Sequence, residues 1–139
     1  MQSGSLSTEL VIVVLLSVFA ASLWIPYIVG VNMHPQADVD DFERPPSLTE
    51  FPPWVHRAHR AHLNLIEQLV PFSVLVLVVD RLGAYSALTY WAAVIFLLVR
   101  VAHAAGMISG LARFPLRPIL FSVGWLCCLA IGYAAAFHT

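Results

Sequence analysis

Long apolar stretches alternate with short polar ones along the chain, and each apolar stretch reaches the roughly 20 residues that a helix needs to cross a hydrocarbon core. The first, LVIVVLLSVFAASLWIPYIVG, runs from Leu10 to about Gly30 without a charge. A cleaved secretion signal is the rival reading, but such a signal has a positive charge ahead of a shorter apolar run. Pro26 is expected to kink this helix near its end. Residues 31–53 turn to acids and prolines, the pattern of a solvated loop. The second stretch, Trp54 to Val79, is polar in its first half (WVHRAHRAHLNLIEQ) and apolar in its second (LVPFSVLVLVV). It reads as one helix that starts outside the hydrocarbon and then crosses it, with Pro52 and Pro53 at the first turn and Pro71 as a bend. Asp80-Arg81-Leu82-Gly83 reads as a tight link, which makes an antiparallel hairpin of the second stretch and the third, Tyr85 to Met107. A loop over residues 108–118 then leads to the fourth, Ile119 to Phe137, where Gly124 and Gly132 suit close helix contacts. The pattern predicts an all-α integral membrane four-helix bundle, a single domain over residues 1–139.

Composition agrees with that pattern. Apolar residues make up 60% of the chain and charged ones 11%, against about 45–50% and about 25% in soluble domains. A net charge of -1 and the lack of a basic tract exclude a nucleic-acid partner. Every fixed cation is an arginine, whose charge survives desolvation and whose planar fork of donors fits carboxylates. A genome that favours arginine codons explains the same bias. Cys127 and Cys128 are adjacent in an apolar run; side chains about 100° apart on a helix do not form an ordinary disulfide, so both read as small apolar packing groups. An even number of spans puts both termini on one side. Arg44, Arg57, Arg113 and Arg117 lie in or near loops 31–53 and 108–118, whereas the terminus side has only Arg81. The positive-inside rule therefore predicts cytoplasmic loops 31–53 and 108–118, with both termini opposite.

The polar half of the second helix carries the candidate chemistry. With Arg60 at zero and about 100° per residue, Asn64 falls at about +40°, Glu67 at about -20° and Pro71 at about +20°. His56 and Arg57 extend this stripe towards the aqueous end. Glu67 reads as the deepest acid, and a carboxylate at that depth is expected to be paired or to face a wet pocket. Arg100 and His103 on the third helix, and Arg117 at the start of the fourth, are predicted to gather at the same end; the opposite end offers little comparable. Arginines with one amide and one carboxylate suit an anionic ligand that also carries an amine. The same residues also suit a structural network that fixes helix register.

Arg60-Ala61-His62-Leu63-Asn64-Leu65-Ile66-Glu67, followed by Pro71-Phe72, resembles the R-A-x-x-N-x-x-E signature of the membrane-associated proteins in eicosanoid and glutathione metabolism, the MAPEG family. Arg100-Val101-Ala102-His103 resembles the R-x-x-H of the third helix in its microsomal glutathione transferases, and Pro115-Leu116-Arg117 with Phe121-Ser122-Val123-Gly124 resembles the start of their fourth helix. The resemblance spans most of the chain from Trp54 onward. It implies a homotrimer, in a bacterial inner membrane, with glutathione held between subunits at the cytoplasmic side. By position Arg60, Asn64 and Glu67 would hold the tripeptide, with Arg57 beside them and Arg100 and His103 in support. Arg117 would stabilise the glutathione thiolate, since a nearby cation lowers a thiol pKa. A lipophilic electrophile or lipid hydroperoxide would then arrive from the membrane lipids. Three positions depart from the family pattern: Met107 stands where a ligand-contacting tyrosine is usual, Gln68 stands where some relatives have tyrosine, and the first helix lacks an arginine found in several relatives.

Other features read as structural. His56, His59 and His62 fan over about 120° of helix surface, too wide for an easy three-ligand metal site, and no metal is predicted. Asp38, Asp40, Asp41 and Glu43 read as a solvated loop face without a calcium-loop glycine. Trp91 and Trp125 lie deep in spans and read as core or lipid contacts. Besides the glutathione-dependent enzyme, two functions stay open. One is a non-catalytic scaffold or lipid- or anion-binding member of the family, favoured by Met107. The other is a small proton-coupled exporter, disfavoured because the first helix has only Glu9, at its edge.

Overall fold

The computed structural model describes residues 5–34 and 50–138, and among these it is wholly helical. The acidic run Asp38–Glu43 and Arg44 lie outside the described residues. Five helices follow in order: α1 (Thr8–Ser22), α2 (Trp24–Met33), α3 (Pro53–Leu82), α4 (Ala87–Ser109) and α5 (Leu116–Ala136). Taken together, α1 and α2 make one apolar span of 26 residues; α3, α4 and α5 supply the other three, with 30, 23 and 21 residues. The expected four-helix membrane architecture is therefore present.

The break between α1 and α2 has a local cause. Proline has no amide hydrogen to give to the carbonyl four residues back, and its ring crowds that carbonyl. For Pro26 that carbonyl belongs to Ser22, where α1 ends, and the Leu23 amide turns to Ala20 at 3.3 Å instead. The kink thus falls a turn before Pro26 rather than at the helix end. Pro71, by contrast, sits inside an unbroken α3. The link after α3 falls later than the sequence pattern implied: α3 continues through Asp80, Arg81 and Leu82, Gly83 closes it at φ 65°, and α4 starts at Ala87. Arg81 in the last turn favours this extension, because a cation there meets the unpaired carbonyls. Ser86 then starts α4 with a capping box, its hydroxyl taking the Thr89 amide at 3.3 Å while Thr89 Oγ1 takes the Ser86 amide at 3.0 Å.

Helix α3 lies at the centre and packs on each of the other four. Its inward face repeats at helical spacing: Ala61, Leu65, Gln68, Phe72, Val76 and Val79 are all buried. Phe72 stacks on Phe96 of α4 with centroids 3.9 Å apart and planes 3° from parallel. Cys127 and Cys128 are free thiols packed in the same core. Trp24, Trp91 and Trp125 stand outward, a disposition that suits lipid contact.

The terminus end is better tied than its sequence suggested. Glu9 sits in the first turn of α1, at the helix edge as expected, yet it is only 5% exposed and accepts a hydrogen bond from Thr89 Oγ1 at 2.7 Å. Ser7 caps α1 and donates to the Tyr85 hydroxyl at 2.8 Å, and Tyr85 donates to Asp80 at 2.6 Å. Burial, and the hydrogen bond to Asp80, hold the Tyr85 phenol above its usual pKa. These bonds join the start of α1 to the α3–α4 turn.

Candidate functional site

At the opposite end, the start of α3 meets the end of α4 and the start of α5. The guanidinium of Arg57 lies against Gly110, the left-handed residue (φ 80°) that closes α4. Arg113 donates to the Gly110 carbonyl at 3.4 Å. Two cations thus sit where the carbonyls of α4 point outward, a placement that the helix dipole favours.

Next to this corner is a cleft of about 530 Å³, within the size range usual for small-molecule sites. Asn64, His103, Arg113, Arg117 and Ser122 supply its polar lining; Ala112, Phe114, Pro118 and Phe121 supply the apolar part. Three residues singled out from sequence, Asn64 on α3, His103 on α4 and Arg117 on α5, therefore meet around one space. Asn64 Nδ2 donates to the Arg60 carbonyl at 2.7 Å and lies 3.8 Å from Met107 Sδ. With Nδ2 occupied along its own helix, the side-chain oxygen is the group left to accept from a ligand amide. Met107 itself is buried, so the position leaves no gap.

Arg60 and Glu67 do not line the cleft; both are exposed on the outer surface of α3. The stripe read from helical angles exists, but its two charged members point away from the bundle. Glu67 lies about 21 Å along a helix of about 45 Å, counting about 1.5 Å per residue from Pro53, which is near its middle. Arg100, expected to gather at the same end as Glu67, bonds neutral groups instead of that carboxylate. Arg100 has no exposed surface; it gives Nη1 to Gln68 Oε1 at 3.1 Å and Nη2 to the Asn64 carbonyl at 2.9 Å, and its guanidinium carbon lies 5.9 Å from the Phe121 ring centre. Gln68 in turn donates Nε2 to the Phe121 carbonyl at 3.0 Å. His103 is as deeply buried and lies over Phe121, with ring centres 6.3 Å apart. Its Nδ1, like Nε of Arg57 and of Arg100, reaches no partner among the described residues.

Gln68 is the residue whose role sequence reasoning passed over, noting it only as standing where some relatives have tyrosine. The signal was present: Gln68 continues the apolar series Ala61, Leu65, Phe72, so helical periodicity turns it inward, and a buried amide requires partners. Of the three histidines, His59 rests against Tyr27 of α2 with ring centres 4.6 Å apart, while His56 is exposed.

The MAPEG family model matches residues 10–137, nearly the whole chain. The chain belongs to the MAPEG family. That family includes glutathione transferases and peroxidases, and its members commonly use glutathione. A comparison with curated proteins returns no match. The match also covers α1 and α2, which lie before the Arg60–Glu67 signature on α3, so the kinked first span is a MAPEG span as well.

Proposed function

We propose that this MAPEG protein is a glutathione-dependent transferase or peroxidase acting on lipophilic electrophiles or lipid hydroperoxides, and that it works as a homotrimer. The observation that carries this reading is the cleft in which Asn64, His103 and Arg117 meet beside apolar Phe114 and Phe121. The guanidinium of Arg117 favours the glutathione thiolate over the thiol, as any nearby cation does. The freed sulfur pair forms a C–S bond as the electrophile's leaving group departs with its own pair. With a hydroperoxide the sulfur takes the terminal oxygen, the O–O bonding pair leaves on the alkoxide, which picks up a proton to become the alcohol, and a second glutathione condenses with the sulfenic acid to give the disulfide and water. Asn64 Oδ1 accepts a peptide N–H, and Phe114 and Phe121 face the apolar reactant. Exposed Glu67 supports the oligomer: a charge facing lipid at mid-helix is costly, and a second subunit, with glutathione held between the two against Glu67 and the exposed Arg60 two turns nearer the aqueous end, removes that cost. The proposal includes a single domain over residues 1–139 and a bacterial inner-membrane location. Loops 31–53 and 108–118, with Arg57, Arg113 and Arg117, are cytoplasmic, and the termini lie opposite.

Calorimetry of the purified protein with glutathione, together with the ultraviolet absorbance of bound thiolate, tests the reading. Binding at millimolar glutathione with a thiolate signal at neutral pH is expected; no binding and no protection against unfolding would end it. Met107 favours one competing reading, a non-catalytic family member that binds anions or lipid. It is buried, takes Asn64 Nδ2 as a neighbour and offers no hydroxyl. Conjugation of a chlorodinitrobenzene substrate, lost in Arg117→Ala, would exclude that alternative.

A further inference from the structure

Arg100 and Gln68 stand at one depth, behind the cleft and not in its lining. Between them they make three hydrogen bonds, and every one ends on a flank of the cleft or on the other member of the pair. Arg100 reaches the carbonyl of Asn64, the α3 flank. Gln68 reaches the carbonyl of Phe121, the α5 flank. The Arg100–Gln68 bond closes the bridge, and His103, the α4 wall, follows Arg100 by three residues on the same helix face. Gly124 leaves room for this: a Cβ there would collide with Gln68 Oε1 and come within 3.4 Å of Arg100 Cδ.

We propose that Arg100 and Gln68 are positioning residues, a buried brace that sets the spacing of Asn64, His103 and Phe121 and touches no ligand itself. This deepens the glutathione reading and rests on it for the identity of the ligand. It also sharpens the supporting role expected for Arg100, which here acts through the backbone of Asn64. A guanidinium suits the task because its planar fork bonds two acceptors at once, one on a side chain and one on a backbone. Gln68 suits it because an amide accepts from the arginine and donates to a carbonyl with the same group. Asn64 and Phe121 lie inside their helices, where each carbonyl has a second lone pair beyond the one that the helix uses, so the two bonds fix α3 and α5 by their backbones, not by interchangeable side-chain contacts.

The test uses the full chain in nanodiscs, as wild type, Arg100→Met, Gln68→Leu and the double variant. Each single variant leaves a buried polar partner unmatched and is expected to lower the melting temperature. The double variant replaces the pair with apolar groups of similar length and is expected to recover most of it. If the pair is a brace, the recovered double variant still binds glutathione about tenfold more weakly, the worth of roughly one hydrogen bond. Amides of residues 121–124 also exchange hydrogen about tenfold or more faster than in wild type. If affinity and exchange return together with the melting temperature, the pair only fills space and the proposal is overturned. If wild type itself does not bind glutathione, the functional reading fails alone, and exchange decides the brace: unchanged exchange in the double variant refutes it.

Discussion

Gly124→Ala is a single-methyl perturbation whose consequence follows from the geometry around it. A Cβ at Gly124 overlaps Gln68 Oε1. That oxygen ends a flexible side chain, so steric relief alone is cheap: the amide swings aside. Swinging aside breaks its bond from Arg100 Nη1 and draws Nε2 away from the Phe121 carbonyl. A hydrogen bond with a charged donor contributes about 1.5–3 kcal/mol and a neutral one about 1 kcal/mol. Alanine returns up to about 1 kcal/mol through its better helix propensity. The net loss is therefore about 2 kcal/mol. Gly132→Ala is the internal control, because a Cβ there meets only the Leu75 methyls at 3.6 and 4.0 Å, ordinary contact. Equilibrium unfolding in bicelles by added denaturing detergent measures both. Gly124→Ala should fall below wild type by about 2 kcal/mol, while Gly132→Ala should equal or exceed wild type. Equal stability of the two alanine variants would refute the reasoning, since it would mean that the Gln68 bonds contribute nothing that a methyl disturbs.

Four further outcomes are expected. Arg117→Gln removes the cation from the cleft, so the thiolate signal of bound glutathione should shift to higher pH by about one unit, read in a pH titration of its ultraviolet absorbance. Asn64→Leu should weaken glutathione binding about tenfold by calorimetry while changing the melting temperature little, because Arg100 bonds the Asn64 backbone and not its side chain. Phe72→Ala empties one half of the stack on Phe96; in lipid the transfer contribution largely cancels, and a cavity of roughly 100 Å³ at about 24 cal/mol per Å³ leaves a loss of about 2 kcal/mol, below the roughly 3–5 kcal/mol of soluble cores, measurable by the same bicelle titration. Tyr85 has its pKa raised in the folded state, so its contribution is complete below the unfolded value of about 10 and is lost as pH rises through the folded value. Melting curves of wild type and Tyr85→Phe should therefore differ at neutral pH and converge only well above about pH 10.

The spans were legible because hydropathy is a sum over 20 or more residues and tolerates local error. Site residues were legible in part, for a reason that particular side chains make plain. Helical angles correctly put Arg60, Asn64 and Glu67 on one stripe of α3, yet angles within a helix do not say which stripe faces a neighbour. The apolar series through Leu65 and Phe72 decides that, and it turns Gln68 inward and Glu67 outward. Cations gathered at one end suggested a pairing for Glu67, whereas packing gave Arg100 a neutral amide and a backbone carbonyl. Backbone acceptors carry no mark in a sequence. The burial of Glu9 was missed likewise, because its partner, Thr89, lies 80 positions away and helix pairing had first to bring the two together.

The bonds of Ser7, Glu9, Asp80, Tyr85 and Thr89 gather at the end of the bundle farthest from the cleft. Helices fastened at one end behave as tines: small rotations at the fastening become larger displacements at the free tips. The tips here are the starts of α3 and α5 and the close of α4, where the cleft lies. The Arg100–Gln68 bridge ties the helices just before those tips, so the floor of the cleft at Asn64 and Phe121 is held, while its mouth at Arg113 and Phe114 lies beyond the tie. Under the proposed function, a held floor would keep the polar partner in one place, and a mouth beyond that tie would admit apolar reactants of different girth.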